Sequence, residues 1–215
     1  MINKALINKQ AFIFDMDGVI VDNINFHIDA YKVFLKQFGK DITTEYFQTH
    51  VNGRTIQELI QELKPEAGKE EIMALSEEKE KIYRDLYAKH LSPTPGLEKF
   101  LGLAKEQGIK MAVATSAITA NADFTLDGLG IRHYFDVVVD STMVIKGKPD
   151  PQIYLKAAKL LNISPSDCVV FEDALAGIKS AKAAGMEVVG LYTSLKKEEL
   201  PEGLILKIKN FEEIS

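Results

Sequence analysis

Asp15 and Asp17 stand at the end of the apolar run AFIFDM and are followed at once by Gly18. Two carboxylates at a buried strand tip repel each other, and an unpaired carboxylate is costly to desolvate, so the pair calls for a cation between its members. Other apolar runs end in the same polar way: MAVAT in Thr115-Ser116, CVVFE in Glu172-Asp173, and DVVVD in a loop carrying Lys146-Gly147-Lys148-Pro149-Asp150-Pro151. Acids, hydroxyls and a lysine together form the inventory of phosphoryl transfer. Closely spaced carboxylates make a hard oxygen site suited to Mg²⁺, which offsets charge on a transferring phosphoryl group. A carboxylate beside it can attack phosphorus. A second carboxyl two residues on can protonate the leaving oxygen and deprotonate the incoming one. Thr115, with nearby backbone N–H groups, can bond phosphoryl oxygens, and a lysine can balance the charge. Gly18 permits a tight exit from the strand.

These residues are useful together only if the fold gathers them. Five short runs rich in Val and Ile read as buried parallel strands, over 11–16, 111–115, 136–140, 168–172 and 188–192, with a weaker sixth over 204–208. Helical patterns lie between them from Met111 onward. Ile153, Ala157, Leu160 and Leu161 form one stripe; Ala176, Lys179 and Ala183 share a face of another helix that stops at Gly185. The alternation implies a doubly wound parallel α/β sheet, which binds ligands at the carboxyl ends of its strands.

The stretch from about Asp22 to Pro93 breaks this rhythm with amphipathic helices. Ile28, Tyr31, Leu35 and Phe38 share a face before Gly39; Ile56, Leu59, Ile60 and Leu63 share another before Pro65; Ile72, Leu75, Ile82 and Leu86 imply one or two more. The prolines of LSPTPG suit a rigid hinge back to the sheet. The charges of EAGKEEIMALSEEKEKIYRD read as a solvated helix face with i,i+4 ion pairs.

With 215 residues, 46% hydrophobic and 27% charged, the chain has the balance of an ordinary soluble globular protein. A net charge of −5 gives no electrostatic reason to expect nucleic acid, and no stretch approaches the length of a membrane span. The polar start MINKALINKQ does not read as a signal peptide. Cys168, the single cysteine, fits a reducing cytoplasm and reads as core packing.

In order, DMDGV, the Thr115 strand end, KGKPDP and FEDALAGIKSAKAAGM resemble the four motifs of the haloacid dehalogenase superfamily, across nearly the whole chain. The insert after the first motif resembles the subgroup with a four-helix cap, which includes β-phosphoglucomutase and small phosphatases. The resemblance implies a Rossmann-like core over residues 1–21 and 94–215, a helical-bundle cap over 22–93, Mg²⁺ as cofactor and an aspartyl-phosphate intermediate. It makes Asp15 the nucleophile and Asp17 the general acid/base, with its carbonyl on the metal. Thr115 and the Ser116 amide would hold the phosphoryl group. Lys148 matches the family lysine better than Lys146, because it directly precedes Pro149. Asp173 would bind the metal, and Glu172 would bind it directly or through water. The family's dehalogenase branch carries one aspartate in the first motif, so Asp17 argues against that branch.

The expected reaction is hydrolysis of a small sugar phosphate or similar phosphomonoester by a monomer, with β-phosphoglucomutase as the alternative. His27 sits where both β-phosphoglucomutase and phosphatase relatives carry a histidine, and Lys79 roughly aligns with a mutase cap lysine, but they also read as a polar residue on the first cap helix and a surface lysine in EEKEK. The mutase pattern places an arginine three residues after a cap glycine, whereas Arg54 directly follows Gly53. Arg54 reads equally as a phosphate contact or a helix-start surface residue. A phospho-aspartate signalling domain would share the acidic pocket but is shorter and lacks both the insert and the second aspartate. A binding protein on a decayed enzyme scaffold should have shed these costly charges. A dinucleotide site fails because no G-x-G-x-x-G follows the first strand.

Overall fold

The computed structural model describes residues 2–51 and 55–215. The chain divides into two compact units, Met1–Asp22 with Leu91–Ser215, and Asn23–His90.

In the first unit, the described strands form one parallel sheet: β1 Ala11–Phe14, β2 Lys110–Ala114, β3 Val137–Val139, β4 Cys168–Glu172, β5 Glu187–Leu191 and β6 Leu206–Ile208. Their order is β3-β2-β1-β4-β5-β6. The chain thus winds outward from β1 one way through β2 and β3, then returns and winds the other way from β4. The sheet therefore reverses beside β1, which is where an open α/β sheet leaves its ligand crevice. Helices cover both faces, which is why the strands read as continuous apolar runs rather than alternating ones.

Alternate residues of β1 serve different layers. Phe12 and Phe14 point to one face, where Phe14 stacks on Phe171 at 4.7 Å and Phe12 on Phe100 at 5.5 Å between ring centroids. Ala11 and Ile13 belong to the other face, packed with Val170, Tyr154, Ala157 and Ile178. Cys168 is buried in that layer, and burial pushes its thiol up to about 11, which removes it as a nucleophile at neutral pH.

Three helix faces differ from the sequence expectation; in Lys69–Tyr87, Leu86 is exposed while Tyr83 and Tyr87 are buried. In Gln152–Leu161 the buried residues are Ile153, Tyr154, Ala157, Ala158 and Leu161, while Leu160 is exposed. In Leu175–Ala183 the buried residues are Gly177, Ile178, Ser180 and Ala181, and Ala176, Lys179 and Ala183 face solvent. Small side chains gave Leu175–Ala183 a weak period. The face that packs is the one whose glycine and alanine permit close approach to the sheet. Gly185, at φ +77°, then ends the turn that follows.

The second unit is helical among its described residues: Ile24–Leu35, Thr44–Tyr46, Ile56–Leu63 and Lys69–Tyr87. Thr55 and Glu58 form a reciprocal capping box at the start of Ile56–Leu63. Residues 69–87 make one continuous helix rather than two. Ile28, Tyr31, Phe34, Leu35, Leu59 and Ile60 supply its core.

Lys79 corrects the reading of a solvated lysine. It is 2% exposed, with its ammonium 4.4 Å from the Tyr31 ring centroid, 2.9 Å from Glu80 Oε1 and 3.3 Å from His27 Nδ1. His27 in turn stacks on Tyr83 at 3.8 Å. The expected i,i+4 pairing does occur nearby, at Lys81–Asp85. Gly53 and Arg54 lie outside the described residues.

Candidate active site

Strand register explains why residues distant in sequence share one edge. Phe14 pairs with Val113 on β2 and with Phe171 on β4, so the next positions, Asp15, Ala114 and Glu172, lie side by side at the carboxyl ends. Asp15 N donates to Phe171 O at 3.0 Å, carrying the ladder one step beyond the strand.

Asp15, Glu172 and Asp173 are all buried, and each offers a carboxylate oxygen within 4.8 Å of the others. Lys148 enters between them, with Nζ 2.8 Å from Asp15 Oδ1 and 2.7 Å from Glu172 Oε1. Lys146 instead lies exposed, 3.7 Å from Asp150. Glu172 is fixed on every side. Its Oε1 also accepts from Tyr154 Oη at 2.9 Å, and its Oε2 accepts from the amides of Asp173 and Ala174, both at 2.9 Å. Asp173 Oδ2 accepts from the hydroxyls of Ser194 and Thr193.

Two glycines make room for these carboxylates. A Cβ on Gly18, whose φ is +80°, would lie 1.9 Å from Asp173 Oδ2, and one on Gly177 would lie 1.6 Å from Glu172 Oε1. Asp17 is half-buried in the turn after β1, where Gly18 N donates to Val21 O at 2.7 Å. Thr115, fully buried, and Ser116, exposed, follow β2 on the neighbouring tip. Thr115 Oγ1 accepts from Ala117 N at 3.0 Å.

The electrostatics of the cluster are unbalanced. Burial, reinforced by Glu172 and Asp17 and opposed by Lys148, pushes Asp15 up to about 7. Burial and the charges of Glu172 and Asp15 likewise raise Asp173 well above the carboxylate range. Burial pulls the Lys148 ammonium down, but Asp15 and Glu172 outweigh it and hold it firmly protonated. One lysine against three buried carboxylates leaves excess negative charge. The donor set is hard oxygen, buried and closely spaced, and it fits a divalent cation such as Mg²⁺.

Tyr154, Thr193, Ser194 and Gly177 were not anticipated. Thr193 and Ser194 follow the fifth strand, so the strand-tip reasoning applied to the other four would have found them. Tyr154 looks like any core position of its helix and gave no separate signal.

The family model for haloacid dehalogenase-like hydrolases matches residues 12–191. A phosphorylated carbohydrates phosphatase of Thermotoga maritima is 35% identical over 208 residues, covering 93% of this chain and 94% of its own. A β-phosphoglucomutase of Bacillus subtilis is 35% identical over 194 residues, covering 85% of this chain and 83% of its own. Among solved structures, a family IA hydrolase of Entamoeba histolytica superposes with TM-score 0.88 at 31% identity, covering 96% of this chain and 95% of its own. Matching across both the sheet and the inserted helices, this chain is an enzyme and belongs to the haloacid dehalogenase-like hydrolases.

Proposed function

We propose that the enzyme hydrolyses the phosphate ester of a small sugar or similar metabolite through a phosphorylated Asp15. The observation that carries this reading is the position of Lys148 between Asp15 and Glu172, beside Asp173. A carboxyl that burial holds near neutrality is a poor nucleophile until positive charge surrounds it. Lys148 occupies one Asp15 oxygen and leaves the other to attack phosphorus. As the ester P–O bond breaks, Asp17 gives its proton to the leaving oxygen. Asp17 then takes a proton from the water that attacks the phospho-aspartate, which releases inorganic phosphate and restores the Asp15 carboxylate. Thr115 Oγ1 and the Ser116 amide hold phosphoryl oxygens through both steps. Asp15, Asp173, Glu172 and the Asp17 carbonyl would hold Mg²⁺, which when bound supplies charge to the phosphoryl oxygens. His27, Lys79 and Arg54 are the candidates for recognising the rest of the substrate.

The substrate class rests on the Thermotoga relative, named for phosphorylated carbohydrates. The equally identical Bacillus β-phosphoglucomutase supports a second reading, in which a sugar hydroxyl replaces water as the attacking group. A panel of phosphorylated sugars, assayed for phosphate release and for isomerisation, tests both. Free phosphate, lost in Asp15→Asn, is the expected result. Glucose 6-phosphate formed from β-glucose 1-phosphate and trace β-glucose 1,6-bisphosphate, without matching phosphate, reverses the order. Wild-type turnover by Asp15→Asn removes the nucleophile assignment.

A further inference from the structure

Asp140, the residue directly after β3, is 2% exposed and outside the acidic cluster described above. Its Oδ2 accepts from Thr119 Oγ1 at 2.7 Å, and its Oδ1 accepts from Thr142 N at 2.9 Å and Thr142 Oγ1 at 2.6 Å. Burial pushes its carboxyl up, but the hydrogen bonds from Thr142 and Thr119 outweigh burial and hold it below the usual range. The main chain is stitched to the β2 tip on either side. Thr115 N donates to Val139 O at 2.9 Å, and Ser141 N donates to Ala117 O at 3.0 Å.

The segment that delivers Lys148 is also held downstream. Gln152 Oε1 accepts from the amides of Ile145 and Lys146 at 2.7 and 2.8 Å, and Ser180 Oγ donates to Asp150 O at 2.7 Å. Alongside the two main-chain bonds, the Asp140 side chain ties the segment leading to Lys148 to Thr119 at the end of the turn 115–119. We propose that Asp140 is a positioning residue whose carboxylate sets the Thr115–Ser116 turn at a fixed spacing from Lys148, and so shapes the cradle for the phosphoryl group. Ionised, it accepts from three converging donors, and charge-assisted bonds of this kind hold geometry better than neutral ones. The inference rests on the phosphoryl-transfer reading above.

The test uses Asp140→Asn, Thr119→Val and Thr119→Ser in the whole enzyme, at temperatures where circular dichroism shows each fully folded. The readouts are kcat and KM for a sugar phosphate the wild type turns over, and the affinity for inorganic phosphate by calorimetry. Asp140→Asn and Thr119→Val are expected to lower kcat/KM by about tenfold to a hundredfold and to weaken phosphate binding in step. Thr119→Ser, which restores the hydroxyl, recovers most of the loss. Variants that lose thermal stability but keep both readouts within about twofold of wild type overturn the positioning role and leave the phosphoryl-transfer reading intact. A wild-type protein that neither turns over an ester nor binds phosphate overturns both.

Discussion

Lys148 Nζ lies 2.8 Å from Asp15 Oδ1 across 133 residues of sequence, and its other short contact is with Glu172 Oε1 at 2.7 Å. The ammonium therefore bridges the tips of β1 and β4, the two strands between which the sheet changes direction. It offsets buried carboxylate charge and, on the proposed reading, would also hold Asp15 in place as the nucleophile.

Lys148→Met separates these roles. Methionine keeps the length of the stem but leaves Asp15 and Glu172 without their shared cation. Breaking a buried pair from one side costs on the order of 3 kcal/mol. The variant is expected to show a lower Tm in EDTA, with part of the loss recovered by Mg²⁺, and turnover reduced at least about a hundredfold. A Tm unchanged in EDTA would mean that the carboxyls are protonated at the assay pH and that Lys148 is not neutralising them.

Without a divalent cation, stability should fall as pH rises. Asp15 is raised from 3.8 to about 7 in the folded protein, so the native state binds protons more tightly than the unfolded one between those values. Its favourable contribution is complete below about pH 4 and is lost as pH climbs through about 7. Asp173, raised for the same reason, acts in the same direction. In EDTA the Tm is expected to decline from pH 5 to pH 8, more steeply for wild type than for Asp15→Asn. Added Mg²⁺ should raise the wild-type Tm more at pH 8 than at pH 5, because bound carboxylates must shed their protons. A Tm in EDTA that rises over this window for wild type and Asp15→Asn alike would contradict the charge imbalance.

The gathering of the acids was legible because a run such as AFIF or CVVF can only be interior, and a carboxylate at its end must then have a reason. Ser194, which bonds Asp173, follows β5 as Thr115 follows β2, and the same reasoning extended to the fifth strand reaches it. Lys79 was not legible from its local sequence. Glu77, Glu78 and Lys81 of EEKEK are solvated, but Tyr31 and His27, brought from Ile24–Leu35 by tertiary packing, join Tyr83, one turn on in its own helix, to take Lys79 out of water. The stripe containing Lys179 failed where small residues left the hydrophobic period weak, whereas in the stripe Ile153, Ala157, Leu160 and Leu161 only Leu160 departed, being exposed.

Gly177 inverts the usual rule for a helical glycine. Replacing glycine by alanine inside a helix ordinarily stabilises by about 0.5–1 kcal/mol. Gly102, in the helix Leu97–Glu106 with nothing within 4 Å of its Cβ position, should follow that rule. Gly177→Ala would instead drive a methyl into Glu172, whose carboxylate cannot swing away without releasing Lys148, Tyr154 and two amides. Gly102→Ala is expected to raise Tm and leave turnover alone, while Gly177→Ala lowers Tm and impairs turnover. Equal gains in both variants would show that Glu172 is not held as described.

Lys79 gives the corresponding contrast in the helical unit. Its side chain is 3% exposed, and its ammonium is shared by Glu80, His27 and the face of Tyr31. Lys81, two positions on, is 68% exposed and pairs with Asp85 in solvent. Lys81→Met should change stability by no more than about 0.5 kcal/mol, as solvent-screened ion pairs do. Lys79→Met removes a desolvated cation and its ring contact, for an expected loss of about 2 kcal/mol. Because the chain has two compact units, the loss should be read locally, as faster hydrogen exchange of amides in Lys69–Tyr87 than in the sheet. Matching exchange rates in the two variants would return Lys79 to the status of an ordinary surface lysine.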